Sequence, residues 1–206
     1  MSARGWAAGL GTAMIAAALA ACGSSTGPAS TITYRPPVAS PAAAAFNAAD
    51  VAFTTGMLRL DDQAEAMAGL VAGHTTSTQL RRFAVGLRGH DSAIEHMRQM
   101  MGRWHQPVPA PYTPGATPVA GMGPGMMDSH DWGEMAHRYG HEFNGHWLDA
   151  MIANHSAQIA LCRAELRSGA SPQARALARA MLAQRQAELT QLQRWHHGQQ
   201  HTGMHD

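Results

Sequence analysis

The chain has 206 residues, with 15 basic side chains apart from His, 14 acidic ones and a formal net charge of +1 at pH 7. This length suits one domain, and so balanced a charge provides no basic surface for nucleic acid. The 13 His and 14 Met are the unusual feature of the composition. Thioether sulfur suits Cu(I), and imidazole suits copper or zinc, so the two excesses together favour metal handling.

The N-terminal segment, residues 1–21, has the pattern of a secretory signal. Arg4 precedes an apolar run that is short for a transmembrane helix, and small residues stand before Cys22. The ending Leu19-Ala20-Ala21-Cys22 resembles a lipobox, whose cysteine receives a diacylglycerol before cleavage. We therefore predict a lipoprotein of the cell envelope, anchored on the extracytoplasmic side of a membrane. The alternative is plain secretion with an incidental cysteine.

Residues 22–40 are predicted to form a flexible tether, because small residues follow Cys22. If Cys22 carries lipid, Cys162 has no partner, and an internal disulfide is excluded for the monomer. No later segment is long and apolar enough to span a bilayer, so the lipid alone is predicted to hold the protein to the membrane.

The first helical hairpin is predicted over residues 41–105. Ser40-Pro41 can cap and start a helix, and Gly73 suits its end. The second helix carries residues alternately three and four apart, which is typical of one helical face. These residues are Leu80, Phe83, Leu87, His90, Ile94, Met97, Met101 and Trp104.

The two hairpins are joined by residues 106–129, where repeated Pro and Gly predict a mobile, irregular linker. The second hairpin is predicted over residues 130–196. Its first helix runs from about Asp131 to Ser168, and Ser171-Pro172 supplies the N-cap and first residue of the next helix. A His-rich tail, residues 197–206, follows.

The hairpins bury their apolar stripes best against each other, which predicts an all-α four-helix bundle. The two halves are also alike, since Phe53-x3-Met57-Leu58 corresponds to Trp147-x3-Met151-Ile152 and each half ends near a Trp. Over residues 46 to about 196 the chain resembles the domain-of-unknown-function 305 family. The resemblance implies a ferritin-like bundle of two similar hairpins in an exported, often copper-associated protein. The family's His-His pair is replaced here by Leu60-Asp61 and by Asn154-His155.

Residues on or beside the core-facing stripes that supply N or S donors are the predicted ligands of a metal. They are His90, Met97, Met151, His155 and Cys162. Soft cations such as Cu(I) prefer these donors. A weaker set is Met57, Asp61, Met101, His137, His141 and His146. His137 and His141 are four residues apart and could chelate an ion on one helical face, although such spacing also arises by chance.

Purely structural roles stay open for the same residues. Asp61 could satisfy His90 across the first hairpin, and Cys162 could be an inert packed thiol. An enzyme is not expected, because only Glu134-x2-His137 has the Glu-x-x-His spacing of di-iron bundles. The function predicted is binding or buffering of copper, and the alternative is a structural or interaction lipoprotein without metal. The expected partners are a membrane, through lipid, and a metal ion, and a homodimer that exchanges hairpins is possible.

Overall fold

The computed structural model describes residues 46–87, 91–114 and 123–202, all within the second of the two units into which the chain divides, Ser40–Asp206. Six α-helices and no β-strand occur among these residues. The helices are α1 (Ala48–His74), α2 (Thr78–Leu87), α3 (Asp91–Arg103), α4 (Ser129–Ala136), α5 (Gly140–Ser168) and α6 (Pro172–Thr202). None of them is long and apolar enough to cross a bilayer.

The long helices form the predicted bundle of two hairpins. α5 packs along α6, and α1 packs along α5, while α2 and α3 lie against α1 and together make the fourth arm. The short helix α4 contacts α5. The expected all-α bundle is thus confirmed. Residues 88–90, including His90, lie outside the described residues, between α2 and α3.

Helix α1 begins at Ala48, seven residues after the predicted start at Pro41. Asn47 is its N-cap, and the Asn47 side chain accepts hydrogen bonds from the backbone N–H groups of Ala49 and Asp50. The Asp50 carboxylate accepts one in return from Asn47 N at 2.6 Å. This capping box satisfies the free donors of the first turn, which is why the helix starts here. Phe46 precedes the cap and stacks on Trp104, with ring centroids 4.9 Å apart.

The single helix predicted from Asp131 to Ser168 is wrong, because the chain breaks it into α4 and α5. His137 ends α4 as its C-cap, and Gly140 begins α5 with φ +58. Glycine adopts this left-handed conformation without the steric cost that a Cβ brings. His137 and His141 therefore lie on either side of a break and do not have the spacing of one helical face.

The turn between α5 and α6 has the N-cap and the first helical residue that the sequence predicts. Pro172 is the first residue of α6, and Ser171 Oγ accepts a hydrogen bond from Ala174 N at 3.3 Å. The same turn is tied to α1, because Asp50 accepts hydrogen bonds from Ala170 N at 3.0 Å and from Ser171 N at 2.8 Å. α6 continues to Thr202, so residues 197–202 of the predicted tail belong to this helix.

The described parts of the linker, residues 106–114 and 123–128, are irregular as predicted, yet they pack on the bundle. The Tyr112 ring lies 5.6 Å from that of Trp132, between centroids. Gln63 Nε2 donates a hydrogen bond to the Met127 carbonyl at 3.2 Å. Gly125 has φ +80 and lies so close to α5 that a Cβ there would come within 2.5 Å of Ala157 Cβ. Both ends of the linker are therefore built into the fold.

Candidate metal centre

The core contains two hydrophobic clusters, and one of them is rich in sulfur. α1, α3, α5 and α6 all contribute to it. Its sulfur-bearing side chains are Met57, Met97, Met100, Met101, Cys162 and Met181, which we call the sulfur cluster. All are buried, and all but Met181 are fully inaccessible to solvent. One thiol and several thioethers from four helices thus lie in one water-free part of the core.

Helix α3 provides half of the sulfur cluster. Met97 and Met100 are three residues apart, and Met97 and Met101 are four apart, which places all three on the same face of a helix. Ile94 extends this face by one turn and packs in the same cluster. α3 packs against α1, and Met57 of α1 belongs to the same cluster as this face.

Cys162 is the one group of the sulfur cluster that can gain a negative charge. Burial raises the pKa of its thiol to about 12, so the group is protonated at neutral pH. No disulfide partner occurs among the described residues. A protonated buried thiol packs like a small apolar group, but a bound metal ion displaces its proton and makes it a thiolate ligand.

A layer of polar side chains, all buried except the partly buried Glu188, separates the sulfur cluster from the second hydrophobic cluster. Along α1, α5 and α6 these residues stand between the members of the two clusters. The polar layer consists of Asp61, Gln63, Asn154, His155, Gln158, Arg185 and Glu188. Arg185 lies at its centre and is 1 % exposed. Its Nη2 is 2.7 Å from Asp61 Oδ1, and its Nη1 is 2.7 Å from Glu188 Oε2.

The hydrogen bonds of the polar layer run from α1 to α6. Gln158 Nε2 donates to Asp61 Oδ1 at 3.2 Å and to Asn154 Oδ1 at 2.9 Å. His155 has contacts at both ring nitrogens, with Nε2 3.1 Å from Glu188 Oε2 and Nδ1 3.0 Å from the Met151 carbonyl. These protein partners hold the imidazole in a fixed orientation.

Burial and the neighbouring charges shift the pKa values of the polar layer in opposite directions. Burial raises the pKa of Asp61 to about 6, although Arg185 opposes this. Burial also acts to raise the pKa of Glu188, but hydrogen bonds with His155 and Arg185 outweigh it and lower that pKa to about 2. Burial lowers the pKa of His155, against the hydrogen bond to Glu188, which raises it. The ion pairs of buried Arg185 with Asp61 and Glu188 therefore stabilise the polar layer.

The structure brings some of the predicted ligands together and separates others. Met97 and Cys162 lie in the sulfur cluster, as do Met57 and Met101 of the weaker set. Met151 lies in the other hydrophobic cluster.

The remaining core candidates differ in their surroundings. His155 belongs to the polar layer, and His90 lies outside the described residues. Asp61, the predicted partner of His90, accepts hydrogen bonds from Arg185 and Gln158.

The other His candidates lie at the surface. His137 Nδ1 contacts the Gly133 carbonyl at 2.6 Å, and His141 Nε2 contacts the Gln199 carbonyl at 3.4 Å. His146 is exposed on α5. In the described ranges, no group of three or more His, Cys, Asp or Glu is arranged to hold a metal. A preformed site in this part of the chain therefore has to use Met sulfur.

Sequence reasoning missed Met100, Met181 and Arg185. Met100 could have been found, because it stands three residues after Met97 on a helix. Met181 lies on α6 between Ala178 and Leu182, where no motif or spacing marked it as a ligand. Arg185 gave no such signal, because charged side chains are rarely buried and its partner Asp61 is 124 residues away.

Comparison with known proteins places this chain in a family. The model of the domain of unknown function DUF305 matches residues 50–196, and the chain belongs to that family. A DUF305 protein of Streptomyces coelicolor is 20% identical, with 70% of this chain and 89% of that one covered and a TM-score of 0.60. CopM in its Cu(I)-bound form is 19% identical, with coverages of 72% and 96% and a TM-score of 0.59. CopM in its Cu(II)-bound form is 20% identical, with the same coverages and a TM-score of 0.60. No curated protein sequence matches this chain.

Proposed function

We propose that this protein is a lipid-anchored lipoprotein of the cell envelope that binds Cu(I) in its sulfur cluster, without turnover. The observation that carries the proposal is the convergence of Met57, Met97, Met101 and Cys162 with two further Met in one buried cluster. Membership of the DUF305 family and the fold shared with CopM, whose structure is known in the Cu(I)-bound form, support it.

The chemistry of the sulfur cluster favours a soft monovalent cation. Thioethers bind Cu(I) and Ag(I), whereas Mg(II) and Ca(II) require oxygen ligands that this cluster does not provide. Thioethers are neutral, and an isolated charge in the core is costly. Cys162 resolves this, because the ion displaces the thiol proton and the resulting thiolate balances its charge. Binding therefore releases one proton for each ion bound.

The sulfur ligands are tested with Ag(I) as the probe. Met97→Leu with Met101→Leu keeps the core volume nearly constant, so the fold should survive. We expect the double variant to bind Ag(I) at least about tenfold more weakly by competition titration, since two soft ligands are lost. Met135→Leu is the matched control, because Met135 is equally buried but lies in the other cluster.

An unchanged Ag(I) affinity in the double variant, with circular dichroism showing an intact bundle, would refute the proposed ligands. A second pair, Met151→Leu with His155→Ala, tests the ligands that lie outside the sulfur cluster. Loss of binding only after deletion of residues 115–127 and 197–206 would move the site to the linker and tail.

The alternative function is a structural or interaction lipoprotein that retains the bundle without metal. It is favoured by the polar layer, where His155 and Asp61 already have protein partners. The same titration separates the two functions. A wild-type protein that binds no more Ag(I) than an unrelated helical bundle supports the structural function.

The anchor is tested independently of the metal. Labelled palmitate should enter the wild-type protein in cells and should be absent from Cys22→Ala, because Cys22 follows the lipobox-like Leu19-Ala20-Ala21. Equal labelling of both proteins would show that Cys22 carries no lipid.

A further inference from the structure

A groove with mostly apolar walls lies on the surface between α1 and α5, and we call it the apolar groove. Its volume is about 880 Å³. Phe46 and Val51 line it near the start of α1, Arg59 and Leu60 line it further along, and Leu161 lines it from α5. Most of the other residues that line it are Ala or Gly. A groove of this size and composition is typical of sites that bind small apolar molecules.

The linker forms the third wall of the apolar groove. Gln106, Pro124 and Met126 line the groove from this side. Gly125 lies so close to α5 that a Cβ there would come within 2.5 Å of Ala157 Cβ. This close contact fixes the position of the linker wall relative to the helix pair. The groove is therefore bounded by α1, by α5 and by a segment that packs on both sides of Gly125.

Arg59 is the only charged side chain among the described residues that line the apolar groove, and it is half-buried. It lies about 16 Å along α1 from Ala48, which also lines the groove, so its charge is towards one end. A guanidinium has five N–H donors. Arg59 can therefore keep its contact within the protein and still bind a carboxylate through charge-assisted hydrogen bonds.

We propose that the apolar groove binds a fatty acid, with the hydrocarbon chain along α1 and the carboxylate at Arg59. Burial of the methylene groups favours binding, and the guanidinium selects an anionic head group. A neutral apolar ligand would instead cover the charge of Arg59 without pairing it, which is costly. The groove shares no residue with the sulfur cluster, so this proposal does not depend on metal binding.

The head group is tested with decanoate and 1-decanol, which have the same chain length but differ in charge. Calorimetric titration of the purified protein at neutral pH should show that decanoate binds more tightly. Arg59→Gln should weaken decanoate binding about tenfold and leave decanol binding unchanged, because only the carboxylate pairs with the guanidinium. Arg179→Gln is the matched control, because Arg179 is exposed on α6 outside the groove, and it should bind both ligands as the wild type does.

The position of the chain is tested with Ala160→Phe. Ala160 is exposed on α5 and lines the apolar groove, so a Phe ring should fill part of the groove without disturbing the core. Binding of decanoate and of decanol should both fall at least about tenfold, because the ring occupies space that the chain needs. Ala180→Phe, at an exposed position of α6, is the control and should leave both affinities unchanged. Circular dichroism should show the wild-type helix content in each variant.

Unchanged decanoate binding in Arg59→Gln would overturn the proposal, because the carboxylate would then lie elsewhere. Unchanged binding of both ligands in Ala160→Phe would place the chain outside the groove. A wild-type protein that binds neither ligand would also refute the proposal. If that protein sediments as a dimer and Ala160→Phe as a monomer, the groove is a contact between two copies of the chain.

Discussion

Arg185→Met should lower the free energy of unfolding by about 3–5 kcal/mol, measured by urea denaturation at pH 7. Met replaces most of the volume of the Arg side chain but removes the charge that offsets Asp61 and Glu188. Asp61 is almost fully buried, so solvent cannot compensate its charge. Removing one partner of a buried ion pair costs far more than the pair itself contributes, because the other charge stays buried.

The double variant Arg185→Met with Asp61→Asn distinguishes an unpaired buried charge from a loss of packing. Asn keeps the oxygen that accepts from Gln158 but carries no charge. Glu188 is 17 % exposed and can turn towards solvent. The double variant should therefore be more stable than Arg185→Met alone. If the two substitutions instead lower the free energy of unfolding additively, the buried charge of Asp61 is not the cause of the lost stability.

The polar layer keeps two different halves of the core apart in a small bundle. One arginine links α6 to α1 through Asp61, and its neighbour Glu188 contacts α5 through His155. Each apolar cluster is closed on one side by this layer. The sulfur cluster thus occupies its own compartment, which water does not reach. Such a compartment favours thioether and thiolate ligands over the oxygen of water.

The sequence predicted those features that depend on nearby residues. The α5–α6 turn could be identified because the Ser171 cap and Pro172 act within one turn of helix. The bundle could be identified because apolar stripes repeat along each helix. The break before Gly140 was missed, because His137, Arg138 and Tyr139 contain no residue that stops a helix. A single Gly predicts such a break poorly.

The candidate site was predictable only in part, because only some of its features depend on residues close together in the sequence. Met97 and Met101 could be assigned to a core face from their spacing alone. Which helices meet that face depends on the packing of the whole bundle, so Met181 was missed and Met151 lies in the other cluster. The polar layer depends on contacts between residues far apart in the chain, and periodicity within one helix contains no information about them.

A second ionisable pair lies at the opposite end of α1 from its hairpin turn. Glu165 is fully buried beside Asp50, and its two carboxyl oxygens receive no other hydrogen bond within the described ranges. Burial raises the pKa of Glu165 to about 7, and the hydrogen bond and charge of Asp50 contribute to the same rise. Burial also acts to raise the pKa of Asp50. Hydrogen bonds from Asn47 and Ser171, and from Glu165, outweigh it, so that pKa is lowered. Below about pH 7, protonated Glu165 therefore donates a hydrogen bond to an ionised Asp50.

Glu165→Gln should make the protein more stable than the wild type at pH 8 and leave it nearly unchanged at pH 5. The folded protein holds the Glu165 proton more tightly than the unfolded chain, whose glutamate has a pKa of 4.5. Its stabilising contribution is complete below about pH 4.5 and is lost as the pH rises through about 7. The Gln amide donates to Asp50 at every pH. The difference in unfolding free energy between variant and wild type should grow by on the order of 3 kcal/mol between pH 5 and pH 8.

Urea denaturation at the two pH values measures this difference. Because variant and wild type are compared at each pH, the contributions of the other titrating groups to the unfolding free energy cancel. Asp61 also has a raised pKa, so it lowers stability over a similar pH range, but it does so equally in both proteins. Glu65→Gln is the control, because Glu65 is exposed on α1 and should give the same difference at pH 5 and pH 8. A Glu165→Gln variant whose advantage does not grow with pH would show that Glu165 is ionised in the folded protein and that Asp50 holds no shared proton.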